Sequence, residues 1–148
     1  TEIYTLSLHD ALPISGGCYG LRFTEERKDG SGSSVGVICT DHEHRDAPSP
    51  ELKELCAGAS VLLYDAAYTP DEYNGVGTFP RRTWGHSTWE WGVKEAAANG
   101  VGRLFLMHHD PAHDDDFVRE KIEEPATAAA RELGIRVECC REGQDIEF

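Results

Sequence analysis

Val61-Leu62-Leu63-Tyr64-Asp65 is a short, nearly charge-free run that stops on a carboxylate, and two further stretches share its design. Val35-Gly36-Val37-Ile38-Cys39-Thr40 leads into Asp41, and Leu104-Phe105-Leu106-Met107 leads into His108. Runs of this length, rich in β-branched and bulky residues, read as strands buried on both faces. The rim of such a sheet is where α/β proteins hold ligands. Groups that bind a metal or move a proton therefore fall on one rim. His86, in Gly85-His86-Ser87-Thr88 just ahead of a helix, is a fourth candidate.

The segments between these runs read as helices and loops. Cys18 to Thr24 reads as a strand, Glu25 to Ser34 as a polar hairpin loop, and Val35 to Thr40 as the returning strand. Ser49 followed by Pro50 opens a short helix with an apolar stripe of Leu52, Leu55 and Cys56, ended by Gly58. Ala66 to Gly85 is a long loop carrying Tyr68, Tyr73, Phe79 and Trp84, of a length that is more often functional than connective. Ser87-Thr88-Trp89-Glu90 has capping-box spacing with Ser87 as cap. The helix after it has Trp89, Val93, Ala96 and Ala97 on one face and Glu90 paired with Lys94 on another; Asn99-Gly100 stops it. A helical region over roughly 115–133 is broken or kinked at Pro125. Ile135 to Cys139 closes the domain as a strand, and 145–148 read as a short edge strand. Strand–helix alternation of this kind gives an α/β fold with parallel crossovers.

With 148 residues, 39% of them hydrophobic, the chain allows one modest domain with a real core. A formal charge of −13 opposes nonspecific binding to polyphosphates, unless divalent ions among the acids reverse the local field. No stretch is apolar enough for a bilayer span, so no membrane partner is expected. The five cysteines include no CxxC pair, and Cys39 and Cys56 read as core residues, which points to a reducing, cytoplasmic compartment. Residues 1–15 resemble a translated sequencing adapter. They are expected to be a non-native or disordered segment, with 16–148 as the domain and the chain as a fragment of a longer protein.

Each candidate has a bland reading beside the chemical one. Asp41 after a strand is ordinary turn chemistry, or a hard oxygen donor able to bridge two divalent ions. His108 is a core histidine satisfied by carbonyls, or a ring nitrogen presented to a metal, with His109 turned the other way. His42 and His44 read as solvated loop histidines, and His113 as a surface residue beside a solvated acidic helix start. Asp65 and His86 form the sharpest pair. A carboxylate close to His86 favours the imidazolium over the opposing helix N-terminus and readies a proton for a leaving oxygen. The competing role is structural, with His86 pinning the long loop to the sheet.

Thr40-Asp41, Leu63-Tyr64-Asp65-Ala66, Gly85-His86-Ser87-Thr88 and Leu106-Met107-His108-His109-Asp110-Pro111, in that order, resemble the C-terminal half of the metallo-β-lactamase superfamily. The likeness is to the branch holding the tRNA 3′-processing endonuclease and cyclic phosphodiesterases. It implies half of an αββα sandwich, a mixed sheet with helices on one face. It further implies two divalent metal ions, zinc first and manganese as the alternative. Asp41 would bridge the ions, His108 would bind one, and Asp65 with His86 would donate a proton to the departing alkoxide. The substrate would be a small-molecule or nucleotide phosphodiester, and the full-length protein a homodimer.

The family's His-x-His-x-Asp-His segment is absent: His42-Glu43-His44 has only its first spacing and follows the wrong strand. The isolated chain is therefore expected to be inactive, with an apolar sheet face exposed and a tendency to aggregate. Two alternatives remain open. One is a lactone, thioester or β-lactam hydrolase on the same scaffold. The other is a degenerate domain that binds a partner through the aromatic loop 68–84 and Trp91.

Overall fold

The computed structural model describes residues 11–13, 18–26 and 32–147. Its centre is a mixed sheet whose six strands lie side by side in chain order: β1 (Ala11–Pro13), β2 (Tyr19–Glu26), β3 (Ser33–Cys39), β4 (Val61–Asp65), β5 (Arg103–Met107) and β6 (Arg136–Cys139). The first two pairings are antiparallel and the last three parallel. Each parallel step is bridged by helix: α1 (Pro50–Leu55), then α2 (Pro70–Asn74) with α3 (Trp89–Ala98), and finally α4 (Asp115–Phe117), a π-helical turn at Val118–Glu123 and α5 (Glu124–Arg131). Crossovers between strands laid down in one direction bring α1, α3 and α5 into one core on the same face of the sheet.

Alternation along the strands supplies that face with its core. Val35, Val37 and Cys39, Leu62 and Tyr64, Leu104 and Leu106, and Val137 and Cys139 belong to one buried cluster with Leu52 and Leu55 of α1, Val93 and Ala96 of α3, and Ala126 and Ala130 of α5. α3 lies close to the sheet because its inner face carries Gly92. Arg22 of β2 donates to the carbonyls of Leu55 and, at 2.8 Å, of Ala57, satisfying the orphan end of α1.

The other face, lined in register by Leu21, Ile38, Leu63, Phe105 and Glu138, has no helix over it among the described residues. Leu21 is exposed and Ile38 and Leu63 are half-buried, whereas Phe105 is buried. The C-terminal segment returns over this side: Gln144 donates to Glu138 at 3.4 Å, and Arg103 donates to the Glu147 carbonyl at 2.6 Å. No strand forms at 145–147 as the sequence suggested, because these side-chain contacts hold the segment without a backbone ladder; Phe148 lies outside the described residues.

Several expected boundaries move. The N-cap of α3 is Thr88, because the Ser87 hydroxyl is taken by other partners. Ala97 is exposed on α3 while Glu95 is buried, accepting from the Ser49 amide at 2.9 Å and tying α3 to the start of α1. Pro125 does not end the helical run, which passes through it from the π-helical stretch into the first turn of α5. The long loop contains α2, closed by a full capping box between Thr69 and Glu72. Ala11–Pro13 pairs along β2, and the rest of 1–15 lies outside the described residues, as do 27–31 of the hairpin loop. Among the described residues no helix is long and apolar enough to cross a membrane.

Candidate metal centre

The carboxyl ends of β3, β4 and β5 are neighbours in the sheet, so the residues just beyond them share one rim. Asp41 leaves β3, Asp65 ends β4, and His108 follows β5. His86 reaches the same place from the loop ahead of α3. Asp41, His86 and His108 each offer one ligand atom, and these three atoms all lie within 4.8 Å of one another. His108 Nε2 is 3.7 Å from Asp41 Oδ1, and the His86 and His108 rings are 4.6 Å apart.

The backbone at both strand exits is unusual. Asp41 has φ +52° and His108 φ +62°, left-handed values that cost a residue with a Cβ about 1–2 kcal/mol. Asp and His tolerate this region better than most residues, and such strain gathers at functional sites. Here it turns two side chains off their strands toward each other. Thr40 holds the result in place: its Oγ1 is hydrogen-bonded to His108 Nδ1 at 2.7 Å, leaving Nε2 facing Asp41.

Asp65 is fully buried, and every contact it makes is with a donor. His86 Nδ1–H donates to its Oδ2 at 2.9 Å. The amides of Ser87 and Ala67 donate to Oδ1 at 3.0 and 3.3 Å, and the His42 amide to Oδ2 at 3.4 Å. A carboxylate so enclosed fixes the His86 ring and aims its other nitrogen at the Asp41–His108 pair. Both expected pairs are thus in contact, and they share one site.

The neighbouring histidines differ from expectation. His42 is buried, edge-on to Tyr64 at 5.6 Å, and burial lowers its basicity. His44 is stacked on Trp91 at 4.8 Å with Nδ1 2.8 Å from the Ser87 hydroxyl, and burial pushes its pKa down to about 4. Neither is a solvated loop residue. His113 is not on the surface either: only 5% of its side chain is exposed, and it contacts Glu72 at 2.8 Å. His109 turns away as expected, with Nδ1 3.2 Å from the Ala66 carbonyl.

Sequence reading passed over Thr40 and Glu43. Thr40 sits beside Asp41, and a hydroxyl at a strand end next to a candidate ligand is the signal that was there to find. Glu43 receives the amides of Thr83 and Gly85 at 2.6 and 3.0 Å and the Tyr73 hydroxyl at 2.8 Å. Its loop partners lie forty residues away, so no local pattern marks it. Asp41, Glu43, His44, Thr83, Trp84, Gly85, His86 and Cys18 line a crevice of about 630 Å³. A second crevice of about 650 Å³, bordered by His109, His113, Cys139 and Arg141, contains none of the four candidate residues.

The donor set suits a divalent ion. Two imidazoles and a carboxylate are ligands that zinc and similar ions accept, and a three-residue set leaves positions open for substrate. His108 has its second nitrogen held by Thr40, the support that metal-binding histidines usually have.

No family profile and no curated protein matches this sequence. Solved structures do match. The metallo-β-lactamase fold protein YhfI from Bacillus subtilis is 19% identical, with a TM-score of 0.62 over 90% of this chain and 46% of that one. Unliganded yeast PDE1 is 18% identical, with a TM-score of 0.54 over 90% of this chain and 42% of that one. The fold is therefore metallo-β-lactamase-like, and the chain spans less than half the length of either structure.

Proposed function

We propose that this chain is the C-terminal half of a metal-dependent hydrolase, a phosphodiesterase when full length, and that the 148-residue chain alone is inactive. The observation that carries the reading is the meeting of Asp41, His86 and His108 on one rim, with His86 bound to a buried carboxylate. Asp41 and His108 would hold divalent metal, zinc or manganese, and bound metal would supply a Lewis acid and a means of activating water.

The residues present do the rest. Asp65 accepts from His86 Nδ1–H and so fixes the orientation of the ring. His86 then delivers a proton from Nε2 to the leaving oxygen. That nitrogen cannot bind metal and carry a proton together, so the two roles for His86 exclude each other. The hydrogen bond that His86 donates to Asp65 serves either role, and the donor role is assigned from the Gly85-His86-Ser87-Thr88 motif. A complete two-ion centre needs more ligands than Asp41 and His108, which is the reason to propose that the chain alone does not turn over.

The Gly85-His86-Ser87-Thr88 motif supports a phosphodiester over a lactone, thioester or β-lactam. Full-length protein loaded with zinc or manganese should hydrolyse a chromogenic phosphodiester, and His86→Ala should abolish turnover while retaining the metal. Activity on lactones alone would overturn the substrate; loss of metal from His86→Ala would overturn the role of His86. A second reading, a binding domain without catalysis, draws on the exposed Val76, Phe79 and Trp84. Trp91, expected to join that surface, is instead stacked on His44.

A further inference from the structure

The segment 83–87 is strapped to the molecule by two carboxylates, and only one of them belongs to the proton-donor pair. Asp65 takes the His86 ring and the Ser87 amide. Glu43 takes the two amides before them, Thr83 at 2.6 Å and Gly85 at 3.0 Å, one on each carboxylate oxygen. The Tyr73 hydroxyl adds a third donor at 2.8 Å. The strapped backbone would not hold this shape unaided: Thr83 has φ +69° and Gly85 φ +86°. A left-handed threonine is a costly conformation that persists only where surrounding contacts impose it. Glu43 also stands two positions beyond Asp41, on the turn that leaves β3.

We infer that Glu43 is a positioning residue: by clamping the backbone at Thr83 and Gly85 it sets His86 against Asp65 and in line with Asp41. The inference rests on His86 being the proton donor proposed above. It acts through the backbone of the residues that precede His86. One turn then supplies both the metal-side carboxylate and the anchor of the proton-donor loop, so the two halves of the site keep a fixed spacing. Three donors converge on the Glu43 carboxyl group, and hydrogen bonds to a carboxylate are the stronger kind.

The test uses Glu43→Ala and Glu43→Gln in this chain and in the full-length protein. Glutamine keeps the shape but has one acceptor oxygen, so it can hold only one of the two amides. Hydrogen exchange of the 83–88 peptide should quicken at least about tenfold in Glu43→Ala and by less in Glu43→Gln, with the 103–107 strand unchanged. Nitrogen NMR of the His86 ring should change from one Nδ1–H environment, bonded to Asp65, to several. In the full-length enzyme kcat should fall with KM and metal content unchanged. A loosened 83–88 peptide with an unchanged His86 Nδ1–H signal overturns the inference, as does Glu43→Gln exchange equal to wild type. If Glu43→Ala does not fold, Glu43→Gln carries the test. The ring signature needs no turnover, so it stands or falls separately from the assignment of the enzyme.

Discussion

His108 Nε2 faces Asp41 Oδ1 across 3.7 Å, and both residues hold left-handed backbone to do so. Neither strand would aim its last side chain there if it simply continued extended. Asp41→Asn keeps the shape and the tolerance for positive φ but removes the charge. Zinc or manganese affinity, measured by titration calorimetry, should fall at least about tenfold. The thermal midpoint without metal should stay where it was.

Thr40→Val removes the hydroxyl at His108 Nδ1 while keeping the strand's volume. The ring is then free to turn, and metal affinity should drop about tenfold in competition with a chromogenic chelator. Circular dichroism should not change. Affinity equal to wild type would mean that Thr40 does not orient the ring.

Stability should decline on the acid side through His44. Burial lowers its pKa from 6.5 to about 4, so between those values the unfolded chain takes up a proton that the folded chain refuses. This contribution to stability is whole above pH 6.5, is lost progressively as pH falls to about 4, and changes no further below that. Urea unfolding across this range should show the slope, and His44→Gln should flatten it.

A methyl group at Gly92 would come within 2.9 Å of Leu106 Cδ2 and 3.1 Å of Tyr64 Cδ1. Crowding of that order costs about 1–3 kcal/mol, against about 1 kcal/mol gained from alanine's helix propensity. Gly92→Ala should therefore lower unfolding free energy by about 1 kcal/mol in urea titration.

The strands were legible because each is a compact apolar run bounded by turn residues, and the run ends told where the rim lies. The four candidate residues could be named for the same reason: they stand at those ends or at a helix start. Glu43 and the stacking of His44 on Trp91 were not legible, since each depends on a partner far along the chain. The cap shifted from Ser87 to Thr88 because a tertiary contact, the hydroxyl's engagement with His44 and Tyr64, outweighed a local motif. His113 looked like surface among three aspartates, yet Glu72 on α2 holds it inside.

Because every strand is laid beside the one synthesised just before it, the sheet can grow in the direction of translation. Each newly emerged strand finds its docking edge already made, with no wait for a distant part of the polypeptide. These six described strands can therefore assemble in the order of their synthesis, with the end of β3 that carries Asp41 formed before His108 emerges to meet it.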